Sequence, residues 1–185
     1  NRDDSQVYDA YECFSDGFPL AWQSLVEEYP DARFVLNVRE CRSWLLSRLR
    51  HIRRSKEAGT YTGGSSWGAW DDTVEAVRSW IPRWHDHHLE VLRRFEPCPD
   101  RLLVVNVTAD SGAGQRVAAF LGYPGRVPTP HVNVGHSGDA GDRYIDMVAQ
   151  AASDLGIPDG ELRNDLLLPS LLSGPSDLPV RSSEV

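Results

Sequence analysis

Arg39 closes the apolar run RFVLNV at residues 33–38, and Ser47 follows eight residues later within RECRSWLLSRLRH. An arginine standing where a buried strand ends can offer its planar fork to a phosphate or a similar oxyanion. A helix beginning there would add amide donors and a favourable dipole, and Ser47, two helical turns in, could bring a hydroxyl to the same anion. The plainer alternative pairs Arg39 with Glu40 or Asp16 and leaves Ser47 as a helix-surface serine. Spacing alone leaves both open. The same segment carries Arg42, Arg48, Arg50, Arg53, Arg54 and Lys56, which reads either as a local anion site or as a solvated helix face.

WHDHH, residues 84–88, puts His85 and His88 three apart, on one face of a helix, where they could bind a metal or move protons. No cysteine or second histidine pair stands at zinc-motif spacing, so a structural or acid–base histidine is favoured and no metal is expected. Cys13, Cys41 and Cys98 form an odd set without a CxxC pair. No GxxxxGK[ST] phosphate loop follows the first strand. TGGSSW follows no strand and holds no lysine, and no GxSxG elbow supports a serine hydrolase.

These residues need a scaffold, and 185 residues with 41% hydrophobic content suffice for one ordinary domain. A net charge of −8 and a pI near 5.2 give no support to nucleic-acid binding. There is no long apolar span and no signal-peptide pattern. A reduced, cytoplasmic protein without a membrane partner is the expectation, and oligomeric state is not readable.

PLAWQSLVEEYPDA predicts a short amphipathic helix through Leu20, Leu25, Val26 and Tyr29, ending near Pro30. RFVLNV predicts a strand, and Trp44, Leu45, Leu49 and Ile52 return to a helical period. Residues 57–70 read as a loop, with Trp67 and Trp70 pinning it to the body. Asp71 or Asp72 is expected to cap a helix through Val74, Val77, Trp80 and Ile81, which Pro82 kinks or restarts before Phe95. CPDRLLVVNVT reads as a strand of a parallel sheet covered on both faces, and GQRVAAFLGYP as a helix stopped by Gly122 and Pro124. A last amphipathic stripe uses Tyr144, Ile145, Val148, Ala152 and Leu155. The α/β domain is expected over residues 1–155, with 156–185 a largely disordered tail. Two strand-then-helix units imply a parallel α/β sheet, with ligands beyond the carboxyl ends of its strands.

DGFPLAWQSLVEEYPDARFVLNVRECRSWLLS, WHDHHLEVLRRF, DRLLVVNVT and AAFLGYPGRVPTPHVN resemble, in order, successive blocks of the P-loop-type sulfotransferase family, over about residues 8–134. The resemblance implies a three-layer, P-loop NTPase-like fold with helices flanking a parallel sheet. It also implies transfer of a sulfuryl group from 3′-phosphoadenosine 5′-phosphosulfate to a hydroxyl or amine of a small-molecule acceptor. Arg39 and Ser47 match the family residues that hold the donor's 3′-phosphate, and Asn133 matches the segment closing over the nucleotide. His87 falls on a family histidine and Asp16 on an acceptor-side acidic position; with His51 they are the candidate catalytic bases. VREC stands where the family reads VRDP, and no tryptophan follows the NV strand. Family members open with a strand and a glycine-rich loop that grips the 5′-phosphosulfate, and these 185 residues contain no such block. The resemblance thus leaves two readings: an α/β sulfotransferase incomplete at its N-terminus, or a non-catalytic nucleotide-binding or interaction protein on the same fold. A kinase-like enzyme would need metal-binding carboxylates near a P-loop, and ranks below both.

Overall fold

The computed structural model describes residues 13, 22–61, 63–65, 68–69, 71–129 and 142–172. Asp16, Trp67, Trp70, Asn133 and the final residues 173–185 lie outside them. The chain divides into two compact units, residues 1–32 and 33–185.

In the first unit, helix α1 (Trp22–Glu28) buries Leu25 and Val26. It closes with the amides of Tyr29 and Ala32 bonded to the carbonyls of Leu25 and Tyr29.

The second unit starts with strand β1 (Phe34–Asn37), continues into helix α2 (Cys41–Glu57), and passes through a small antiparallel hairpin, β2 (Gly64–Ser65) and β3 (Gly68–Ala69). Helix α3 (Val74–Phe95) leads to β4 (Leu102–Val105), and α4 (Ala113–Leu121), α5 (Asp142–Asp154) and the short α6 (Pro169–Leu172) follow. β1 and β4 pair in parallel, Phe34 opposite Leu102 and Asn37 opposite Val105. The Val38 amide prolongs the ladder onto the Val105 carbonyl at 2.9 Å. A parallel pair needs a long crossover, here supplied by α2, the hairpin and α3. Among the described residues this sheet has two strands, each with one unpaired edge, and Val35 on β1 is 40% exposed. The expected α/β class fits, though β4 is fully buried only at Val105.

Most of the core is helical. Leu45, Leu49 and Ile52 of α2 meet Val77, Trp80 and Ile81 of α3, with Tyr144, Val148 and Ala152 of α5. Met147 and Ala151 belong to the α5 stripe as well, whereas Ile145 is exposed. Arg48 lies over the Trp80 ring at 4.6 Å and the Trp44 ring at 5.4 Å. Burial first, and then Arg83, hold its pKa down to about 10, so the guanidinium stays charged and its aromatic contacts offset the loss of water.

Two local expectations are revised, and of the two readings of Pro82 the restart is set aside, since α3 continues through it as one helix. Its N-cap is Thr73, whose Oγ1 accepts the Ala76 amide at 3.2 Å, because Asp71 and Asp72 are both engaged by Lys56. And packing does not stop near residue 155. Ile157, Leu162 and Leu168 are buried in the main core, Leu155 and Leu171 lean on it, and Asp159–Arg163 forms a 3-10 turn against α2. α4 ends as its sequence predicts, on Gly122 in the left-handed region at φ 78°.

Candidate functional site

Three residues, Val38, Arg39 and Glu40, separate the carboxyl end of β1 from the start of α2. Its buried side is Cys41, Leu45, Leu49 and Ile52. At 3.6 residues per turn, Ser43, Ser47 and Arg50 recur at i, i+4 and i+7 on the opposite side, and all three are half-buried. Arg39 is half-buried too. Burial depresses its pKa, the charge of Arg50 depresses it further, and Glu40 opposes both. Ser43 Oγ donates to Glu40 Oε2 at 3.4 Å. Among the described residues no hydrogen bond or ion pair engages the Arg39 or Arg50 guanidinium, and Arg50 Nε is buried without an acceptor. The pairing of Arg39 with Glu40, weighed from sequence, is therefore reduced to a through-space attraction.

The helix amides contribute less than the sequence suggests. The Cys41 N–H donates to the Asn164 carbonyl at 2.9 Å, and Arg42 is held by Asp159 at 3.0 Å, so the chain's own C-terminal segment covers part of the first turn. Burial, and then Glu40, push the Cys41 thiol up to about 12, which removes it as a nucleophile.

At the end of β4, Asn106 Oδ1 accepts the amides of Thr108 and Ala109, each at 3.1 Å, while its Nδ2 donates to Asp165. The Val107 amide reaches Asn37 Oδ1 at 3.4 Å and ties the two strand ends together. Asp110 accepts from the Gly112 amide and from Arg116 at 2.9 Å. Thr129 Oγ1 donates to the Ser111 carbonyl and accepts the Gly114 amide, both at 2.8 Å. A Cβ on Gly114 would meet the Pro128 carbonyl oxygen at 2.8 Å. Glycine there lets the segment leading to Asn133 lie against the start of α4. An open groove of about 780 Å³ runs along α4, lined by Val107, Val117, Leu121, Tyr123 and Pro128 among others.

The paired histidines are structural. The Leu168 N–H donates to His85 Nδ1 at 3.0 Å, so the His85 proton sits on Nε2, a buried atom with no partner among the described residues. His88 Nδ1 donates to the Leu166 carbonyl at 2.8 Å, with its ring edge-on to Trp84. Burial lowers both pKa values, His88 to about 4; Asp86 opposes this at His85 while Arg93 reinforces it, and at His88 the Leu166 bond and Asp165 oppose while His87 and His85 reinforce. An unfolded imidazole takes its proton near pH 6.5, so between about 6.5 and 4 the unfolded chain binds more protons. Stability due to neutral His88 is complete above pH 6.5 and falls on acidification, by up to about 1.4 kcal/mol per pH unit. Urea midpoints measured from pH 7 to 4.5 should fall steadily, and less steeply in His88→Gln. A flat profile would contradict this.

His87 lies on α3 beside His88, ring centroids 5.8 Å apart, half-buried, with a pKa lowered by burial and raised somewhat by Glu90. His51 is exposed on α2, one turn beyond Ser47. The structure thus places Ser47 and His51 on α2, with Arg39 in the link just before it, and sets His87 on α3. Among the described residues no group of three His, Cys, Asp or Glu side chains is placed to hold a metal, and no helix is long and apolar enough to cross a membrane.

A family model for the sulfotransferase domain matches residues 1–137, about three quarters of the chain and the whole stretch from α1 through β4 and α4. The chain belongs to the sulfotransferase domain family. No curated protein and no solved structure matches it. In this sulfotransferase domain the matched region includes Arg39, Ser47 and the Thr129-anchored segment, whereas the buried residues Ile157, Leu162 and Leu168 come after it. Sequence reasoning missed two features here. Arg50 could have been found from the Ser43, Ser47, Arg50 period; the Asn164 contact with Cys41 leaves no local signal.

Proposed function

We propose that this sulfotransferase domain binds 3′-phosphoadenosine 5′-phosphosulfate and transfers its sulfuryl group to a hydroxyl or amine of a small-molecule acceptor. The observation that carries this is the half-buried Arg39 guanidinium, without an ion pair among the described residues, at the carboxyl end of a parallel strand and at the start of the Ser47 helix. A partly buried cation without a counter-ion is unfavourable unless a ligand supplies the opposite charge, and a phosphate accepts both arms of the fork. Arg39 and Ser47 would hold the 3′-phosphate; Asn133 is assigned to the nucleotide side through the family blocks.

In the reaction the donor's sulfur–oxygen bond to the 5′-phosphate breaks and a bond from sulfur to the acceptor oxygen or nitrogen forms, while the acceptor proton passes to a base or to solvent. Such transfers depend on positioning and on stabilising charge at peripheral oxygens. His87, kept neutral at pH 7 by burial, can accept a proton; His51 and Asp16 are the other candidates.

A second reading is a non-catalytic nucleotide-binding or interaction protein on this fold, in which the Arg39 site holds a nucleotide without transferring a group. Thermal melting of the whole chain tests the shared premise. Saturating 3′-phosphoadenosine 5′-phosphate, at 100-fold over Kd, should raise Tm by about 5–10 °C, and ATP should not. No shift with either nucleotide would defeat both readings. With binding shown, radiolabelled sulfate appearing on an acceptor favours the enzyme.

A further inference from the structure

We propose that Arg50 is a further anion-binding residue of this site, closing a two-guanidinium clamp with Arg39 across Ser47, and that the clamp selects a dianionic phosphomonoester over a monoanionic phosphodiester or sulfate ester. The inference rests on the 3′-phosphate reading of Arg39 and Ser47. Its own support begins with geometry. Side chains on a helix lean toward its N-terminus and cover the turn before their own Cα, so Arg50 reaches back over the turn of Ser47, one turn nearer Arg39.

Chemistry points the same way. Both groups are half-buried, and Arg50 Nε is buried with no acceptor. Arg42 is held by Asp159, Arg53 by Glu57 and Lys56 by Asp71 and Asp72, while Arg48, whose Nε is also buried without an acceptor among the described residues, lies over aromatic rings, and Arg54 is exposed. Arg39 and Arg50 are half-buried with no carboxylate in contact among the described residues, and the charge of Arg50 acts on Arg39. Arginine does not escape such repulsion by losing its proton. Two fixed positive charges beside the serine face of one helix match a group with two negative charges and three free oxygens. A phosphodiester or sulfate ester brings one charge and leaves the second guanidinium uncompensated.

The test is calorimetric titration of the whole chain with adenosine 3′,5′-bisphosphate and with adenosine 5′-monophosphate, for the wild type, Arg39→Ala, Arg50→Gln and Arg50→Lys, each first shown to melt cooperatively. Arg50→Gln should lose about 10-fold or more in affinity for the bisphosphate and under about 3-fold for the monophosphate, with Arg50→Lys recovering part of the loss. Between pH 5.5 and 7.5 the second ionisation of a phosphomonoester, near 6, should strengthen bisphosphate binding more in the wild type than in Arg50→Gln. A structural defect would weaken both nucleotides alike and would not flatten this pH dependence, and that pattern would overturn the proposal. Weak binding by Arg39→Ala with wild-type binding by Arg50→Gln overturns the clamp and leaves the Arg39 reading in place. A wild type that does not bind the bisphosphate overturns both.

Discussion

Arg39→Ala is expected to weaken the binding of 3′-phosphoadenosine 5′-phosphate about 10- to 150-fold. The range follows from the worth of hydrogen bonds to a charged group, about 1.5–3 kcal/mol, with every 1.4 kcal/mol a factor of ten. Because Arg39 has no hydrogen bond or ion pair among the described residues, its removal breaks no bond among them, and the melting temperature of the unliganded protein should hold or rise slightly. That combination, affinity lost and stability kept, separates a ligand-binding arginine from a structural one. Unchanged affinity by calorimetry would refute the assignment.

Truncation after Gly156 is expected to abolish cooperative unfolding. It removes Ile157, Leu162 and Leu168, all buried in the core between α2, α3 and α5, along with the partners of His85 and His88 and the Asn164 carbonyl on Cys41. Deleting one buried aliphatic side chain costs about 2–5 kcal/mol, so three together approach the whole stability of a typical domain, about 5–15 kcal/mol. Leu168→Ala alone should lower the urea unfolding free energy by about 2–5 kcal/mol. A loss under about 1 kcal/mol would show that this segment is not part of the core.

The elements that could be read from sequence are those whose pattern is local. FVLN and LLVV are apolar runs bounded by turn residues, the stripe through Val77, Trp80 and Ile81 keeps a helical period, and Gly122 marks the end of α4. Pro82 left a kink or a restart open, and the helix passes through it because proline removes one amide but does not forbid a helix whose buried face is this apolar. The segment 157–172 misled, since its buried residues stand five and six positions apart, a spacing that fits neither helix nor strand. In the proposed site, the separation of Arg39 and Ser47 offered the anion reading as one of two alternatives. Arg50 was hidden among neighbours of like charge, for nothing local says that Arg42 meets Asp159, 117 residues away, while Arg50 meets no carboxylate.

The contact between Asn164 and Cys41 changes how this site can diversify. A phosphate cradled by backbone amides is insensitive to most substitutions, because every residue type carries the same N–H. Here the first amide of α2 is already occupied by the protein itself, so in the proposed site recognition would rest on the side chains of Arg39, Ser47 and Arg50. Each of these can be exchanged singly without redrawing the chain path. Ligand preference on this scaffold would then be a property that single substitutions adjust stepwise, while the loop geometry stays as it is.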